Sequence, residues 1–127
     1  MNPSIEEASG SLPVLDSIAL NRLRQLDPSG QADVVGRVLR TYESSLLKSL
    51  AAMDLAIDKG DLVELQRLAH TLKSSSASVG ALALADVCAR TEACLRGGDK
   101  LLPASTRVAL RAQGQLALQA VRQLLSV

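Results

Sequence analysis

The chain of 127 residues contains no phenylalanine and no tryptophan, and Tyr42 is its only aromatic residue. Single-stranded nucleic-acid binders rely on aromatic platforms for base stacking, so that class finds no support. Cysteine is nearly as scarce. Cys88 and Cys94 lie six residues apart on one predicted helix, an axial rise of about 9 Å, too far for a disulfide without breaking the helix. One histidine and no cysteine pair at ligand spacing argue against a zinc site. Two free thiols suit a reducing compartment. Charge of one sign is missing too: 14 Lys and Arg against 13 Asp and Glu give a net charge of +1. No basic field is available for duplex DNA or an anionic membrane. There is no apolar run of membrane-spanning length, and the start, Met1 to Glu7, lacks the basic and apolar parts of a signal peptide. The expectation is a soluble, cytoplasmic protein. No glycine-rich phosphate loop is present, and no Ser-His-Asp or Cys-His pair can be assembled around one histidine without distant, unsupported contacts.

Leucine and alanine dominate what is there, with valine and isoleucine sparse, a mixture that favours helix over strand. The length suits one domain with one core. Residues 1–14, with Pro3, Gly10 and Pro13, read as a flexible lead-in, and residues 15–127 as the folded domain. Asp16 can cap a short helix reaching about Leu26, with Ile18, Leu20 and Leu23 on one side. After Asp27-Pro-Ser-Gly30, a long helix is predicted over about 32–58, striped by Val35, Val38, Leu39, Tyr42, Leu46, Met53 and Ile57 and weakened by Gly36. Gly60 suits its left-handed C-terminal position. Asp61 and Glu64 resemble a capping box opening a helix to about Val79. Gly80 marks a break, and a further helix covers about 81–95 with Leu84, Val87, Cys88, Thr91 and Leu95 inward. After a turn at 96–100 and Pro103, a last helix capped by Ser105 runs to about Leu125, with Leu116, Val121 and Leu124 inward. Short connections between long amphipathic helices favour antiparallel neighbours. The predicted fold is all-α, an antiparallel four-helix bundle with an additional short N-terminal helix. A monomer is expected, because the predicted helices can satisfy their apolar stripes within one chain.

The histidine, His70, stands out on the helical wheel. Leu65, Leu68, Leu72, Ser76 and Val79 fall within about 40° of Leu72, whereas His70 lies about 160° away. An exposed imidazole, with an ordinary pKa of about 6.5, keeps a neutral nucleophilic nitrogen at cytosolic pH. Such a nitrogen can accept a phosphoryl group from an acyl phosphate through a loose, in-line transition state. Lys73, at i+3, can offer positive charge to the phosphoryl oxygens, and Arg67, at i−3, can do so from the other direction. Ser74 and Ala77 are small enough to let another protein approach. Val63 and Gln66 share the face and are further docking candidates. By wheel and composition alone, a solitary exposed histidine is commonly just a surface residue.

The stretch His70-Thr-Leu72-Lys73-Ser74-Ser-Ser-Ala-Ser-Val-Gly80-Ala81 resembles a histidine-containing phosphotransfer (HPt) domain, whose pattern is His, any residue, Leu, Lys, Gly, small residues and a Gly-Ala. The turn at 56–61 is similar to the one that precedes the family's phosphorylated helix. Leu84, Cys88 and Glu92 fall where the family has a Leu, a frequent Cys and a Glu. The resemblance covers about 35–124. It implies a four-helix bundle with an exposed phosphorylatable histidine midway along one helix, over which, with its neighbour, receiver domains dock. It further implies that the catalytic aspartates and Mg²⁺ belong to the receiver, with no cofactor on this chain, and that the domain lacks kinase activity. Two positions depart from the pattern. Thr91 replaces a frequent Leu, and Ser74 replaces the usual Gly, adding a hydroxymethyl group that can bond the phosphoryl group or fold back on the His70 carbonyl.

The expected function is therefore a phosphorelay intermediate, taking a phosphoryl group on His70 from a receiver aspartate and passing it to another receiver. The partners would be receiver domains of response regulators or a hybrid histidine kinase, with no nucleic acid and no membrane. The alternative from another class is a helical docking module for a receiver or kinase that is never phosphorylated. A third reading, the phosphoacceptor part of a chemotaxis-type kinase, would find no nucleotide site within this chain.

Overall fold

A computed structural model describes residues 15–98 and 101–126; the predicted lead-in at 1–14 and part of the predicted turn at 96–100 lie outside them. Among the described residues there are five helices and no strand: α1 (Ser17–Gln25), α2 (Val34–Lys59), α3 (Leu62–Ser78), α4 (Leu82–Arg96) and α5 (Ala104–Leu125). Helices α2 to α5 form a ring in which α2 packs on α3, α3 on α4, α4 on α5 and α5 back on α2, while α1 leans on α2. Neighbours run antiparallel. Arg107, Arg111 and Arg122 of α5 pair with Asp58, Asp54 and Glu43 of α2 at 3.1, 3.2 and 2.7 Å, one sequence rising as the other falls. The core is aliphatic, centred on Leu46, Met53, Leu65, Leu72, Leu84, Val87 and Val121.

The helix ends show why these segments stop where they do. Gly60 takes the expected left-handed position (φ 69°), and the N–H of Asp61 reaches back to the Ala56 carbonyl at 2.9 Å. This bond alters the predicted capping box. Asp61 does cap α3, accepting from the Glu64 N–H at 3.1 Å, but its own N–H is already satisfied, so the Glu64 carboxylate turns to Arg67 instead. Asp16 caps α1 as predicted. Its N–H donates to the Gly80 carbonyl at 2.8 Å, tying the chain entrance to the α3–α4 turn. Gly80 must be glycine twice over: its φ is 83°, and a Cβ would lie 2.6 Å from the Asp16 nitrogen.

Several expectations fail at α1 and α5. Ile18 points outward, leaving Leu20 as the buried residue of α1. Ser105 is not the α5 cap; the helix starts at Ala104, two residues earlier than that cap would set it, after Pro103 and without a side-chain cap bond. Leu116 and Leu124 are exposed, and the face turned inward is Leu110, Gly114, Ala117, Leu118 and Val121. The cause is close approach. A Cβ at Gly114 would lie 2.7 Å from Leu50 Cδ2, so the contact between α5 and α2 selects small residues over the bulky ones that a hydrophobicity pattern favours.

Candidate functional site

His70 sits midway along α3, its side chain 65% exposed. The ring is held at one edge. Nδ1 lies 3.0 Å from Oε2 of Glu92, which α4 places on the adjoining face. Glu92 itself is buried, its side chain only 6% exposed, and its Oε1 forms a 2.7 Å ion pair with Lys73 Nζ. One buried carboxylate thus bridges the imidazole and the ammonium of two residues three apart on α3. The Lys73 ammonium holds the Glu92 carboxyl below its ordinary range, overriding the opposite effect of burial, and the His70 contact adds to it. An ionised carboxylate only accepts, so Nδ1 carries the proton in this contact and Nε2 of the neutral ring keeps its lone pair facing solvent.

Glu92 did not emerge as a site residue from sequence, although a signal was present. Leu84, Cys88 and Glu92 are spaced i, i+4, i+8, which places a carboxylate on the apolar stripe of α4. A charge on a buried face requires a partner, and His70 and Lys73 are those partners.

The other expected residues divide. Arg67 is drawn away from the imidazole: its Nε and Nη2 form a bidentate pair with Glu64 at 2.6 and 2.8 Å. Ser74, Ala77 and Val63 are exposed and Gln66 is half-buried, leaving the surface around His70 low. The serine run, a poor helix former, has separate local explanations. Ser75 bonds back to the Leu72 carbonyl, and buried Ser76 meets the Tyr42 hydroxyl at 2.7 Å. Ser74 does not fold back on His70: among the described residues its Oγ has no hydrogen-bond partner.

Beneath the site, burial pushes the Tyr42 hydroxyl up to about 12, with the Ser76 bond opposing. Burial likewise pushes the Cys88 thiol up to about 12, with the neighbouring Glu92 charge adding. That keeps Cys88 protonated and unreactive. An open, mostly apolar groove of about 580 Å³ runs between α2 and α3, lined by Val38, Thr41, Tyr42, Ser75, Ser78 and Val79 among others. Its concavity, made by two helices, was not legible from either stripe alone. Among the described residues no three His, Cys, Asp or Glu side chains are grouped so as to hold a metal ion. No described helix is long and apolar enough to cross a membrane.

Comparison with known proteins adds to this geometry. A family model described as the Hpt domain matches residues 37–125. Histidine-containing phosphotransfer protein 5 of Arabidopsis thaliana is 30% identical over 77 residues, which cover 58% of this chain and 49% of that protein. The match thus spans about half the length of that relative. The crystal structure of histidine-containing phosphotransfer protein B (HptB) from Pseudomonas aeruginosa PAO1 superposes with a TM-score of 0.77 at 22% identity, covering 91% of this chain and 96% of that one. At that identity the likeness is one of fold.

Proposed function

The chain belongs to the Hpt domain family, and from that premise we propose that it is a phosphorelay intermediate with His70 as the phosphoryl acceptor. The observation that carries this reading is the half-tethered imidazole, fixed at Nδ1 by a buried carboxylate and open at Nε2.

In the proposed step, the Nε2 lone pair attacks the phosphorus of a receiver's aspartyl phosphate in line. The N–P bond forms, the P–O bond to the aspartate breaks, and the aspartate leaves as a carboxylate. Mg²⁺ belongs to the receiver, which also supplies the catalytic aspartates. Phosphorylation at Nε2 leaves a ring whose positive charge is delocalised onto Nδ1–H, and Glu92 stabilises that charge through the bond it already accepts. The return transfer to a second receiver reverses the same bonds. Lys73 holds Glu92 ionised and, being partly exposed, lies close enough to draw a phosphoryl oxygen toward its ammonium. Ser74 and Ala77 give clearance, and the α2–α3 groove offers apolar surface for the receiver. We place this exchange in the cytoplasm, with one copy of the chain per receiver and no kinase activity of its own.

The test is transfer of radiolabel from a phosphorylated receiver domain to the wild type and to His70→Gln. Acid-labile, base-stable label on the wild type alone is the expected result. Equal labelling of both proteins, or binding of a competent donor without any label, contradicts it.

A further inference from the structure

The polar side chains of α3 are nearly all committed. Arg67 is held by Glu64, the Thr71 hydroxyl donates to the Arg67 carbonyl, and Lys73 is on Glu92. Ser75 donates to Leu72, and Ser78 donates to the Ser74 carbonyl. Among the described residues of α3, the uncommitted donors are the Gln66 amide, at i−4, and the Ser74 hydroxyl, at i+4. They differ in cost. Gln66 is half-buried and must order several rotatable bonds to make a hydrogen bond. Ser74 is exposed and has only χ1 and its hydroxyl torsion to fix. Side chains on a helix lean toward its N-terminus, so the Ser74 hydroxyl leans toward the turn that carries His70.

A serine hydroxyl in mid-helix ordinarily bonds to a carbonyl one turn back, as Thr71 and Ser78 do here. Ser74 does not. Its donor remains available one turn from His70, on the same exposed face of α3.

We propose that the Ser74 hydroxyl is a phosphoryl-binding group, donating a hydrogen bond to an oxygen of the phosphoryl group on His70. This deepens the phosphorelay reading and rests on His70 being the acceptor. The bond exists only in the phosphorylated protein, so it favours that form. It also favours the dianionic phosphoryl group over the monoanion, because the dianion accepts more strongly. In a loose transition state the bridging P–N bond is largely broken and charge moves off the equatorial oxygens. The donor then stabilises the phosphohistidine more than the transition state of its hydrolysis.

The experiment labels the full chain chemically with phosphoramidate, with no receiver present, and follows the phosphohistidine by ³¹P NMR. Wild type, Ser74→Ala, Ser74→Gly, Ser74→Thr and Gln66→Ala are compared for lifetime and for the midpoint of the phosphoryl titration. Ser74→Ala and Ser74→Gly are expected to shorten the lifetime alike, by roughly two- to tenfold, the worth of one hydrogen bond. Both should raise the titration midpoint, while Ser74→Thr restores wild-type behaviour. Wild-type lifetime and midpoint in Ser74→Ala overturn the proposal, as does a loss carried by Gln66→Ala in its place. A wild type labelled at no histidine contradicts the phosphorelay reading itself, and this inference falls with it.

Discussion

Glu92 is the residue on which the site turns, because its burial forces a choice of partners. A carboxylate covered to this degree is tolerated only when paired, and the two groups that pair with it are His70 and Lys73. Replacing it with glutamine keeps the shape but removes the charge that complements a phosphorylated imidazole. A charged hydrogen bond is worth about 1.5–3 kcal/mol, so Glu92→Gln is expected to slow receiver-to-His70 transfer roughly ten- to hundredfold, read by quenched-flow labelling. The same variant makes a stability prediction. Because the folded-state pKa of Glu92 is depressed, its contribution is present above the ordinary carboxyl range and lost as pH falls through the folded value. Wild type should therefore lose melting temperature below about pH 4.5 more steeply than Glu92→Gln.

Tyr42 and Cys88 carry the opposite dependence. Both are pushed up to about 12, from ordinary values of 10.0 and 9.0. The unfolded chain therefore releases their protons first as pH rises, and stability intact below about pH 9 declines progressively toward pH 12. Thermal melts across that range should show Tyr42→Phe with a shallower alkaline decline than wild type. At neutral pH the same change strands the buried Ser76 hydroxyl and should cost about 1–2 kcal/mol in urea unfolding. Adding Ser76→Ala should recover part of that loss, since the orphaned group is then gone.

At the scale of elements, the helix ends and one close helix contact decide the architecture. Gly60 and Gly80 both have positive φ, yet only Gly80 has another backbone against the place where a side chain would begin. Gly60→Ala should thus cost about 1 kcal/mol, the ordinary penalty of that conformation. Gly80→Ala should cost clearly more and free the Asp16 N–H from its carbonyl, visible as faster amide exchange at Asp16. These ends were legible in the sequence because glycine and aspartate act locally. The inward face of α5 was not. Gly114 and Ala117 look like weak positions in a hydrophobic pattern, and their burial follows from how closely α2 approaches, a tertiary fact with no local trace. Ile18 failed for the related reason that α1 is too short to bury a full stripe.

At the scale of the molecule, the four-helix ring was readable because α2, α3 and α4 each keep a clean apolar period, and the short turns leave few ways to arrange them. The exposure of His70 was readable for the same reason. Its chemistry was only half so. The wheel shows that the ring faces outward, but not that α4 passes close enough to tether Nδ1. Equally, it placed Arg67 beside His70 without showing that Glu64 would claim it. What the ring of helices supplies is a platform: α3 and α4 pack against each other, and the Glu92 contact holds the imidazole at Nδ1. That pre-organisation lets a receiver meet a nitrogen already aimed outward.

The central claim is that Glu92 fixes the proton on Nδ1 and so makes Nε2 the atom that takes the phosphoryl group. Nitrogen-15 NMR of the His70 ring, before and after phosphorylation by a phosphorylated receiver domain, tests it most directly. The account predicts an Nδ1–H tautomer in the free protein at pH 8 and a ³¹P coupling to Nε2 in the phosphorylated one. An Nε2–H tautomer, or phosphorus coupled to Nδ1, would contradict it.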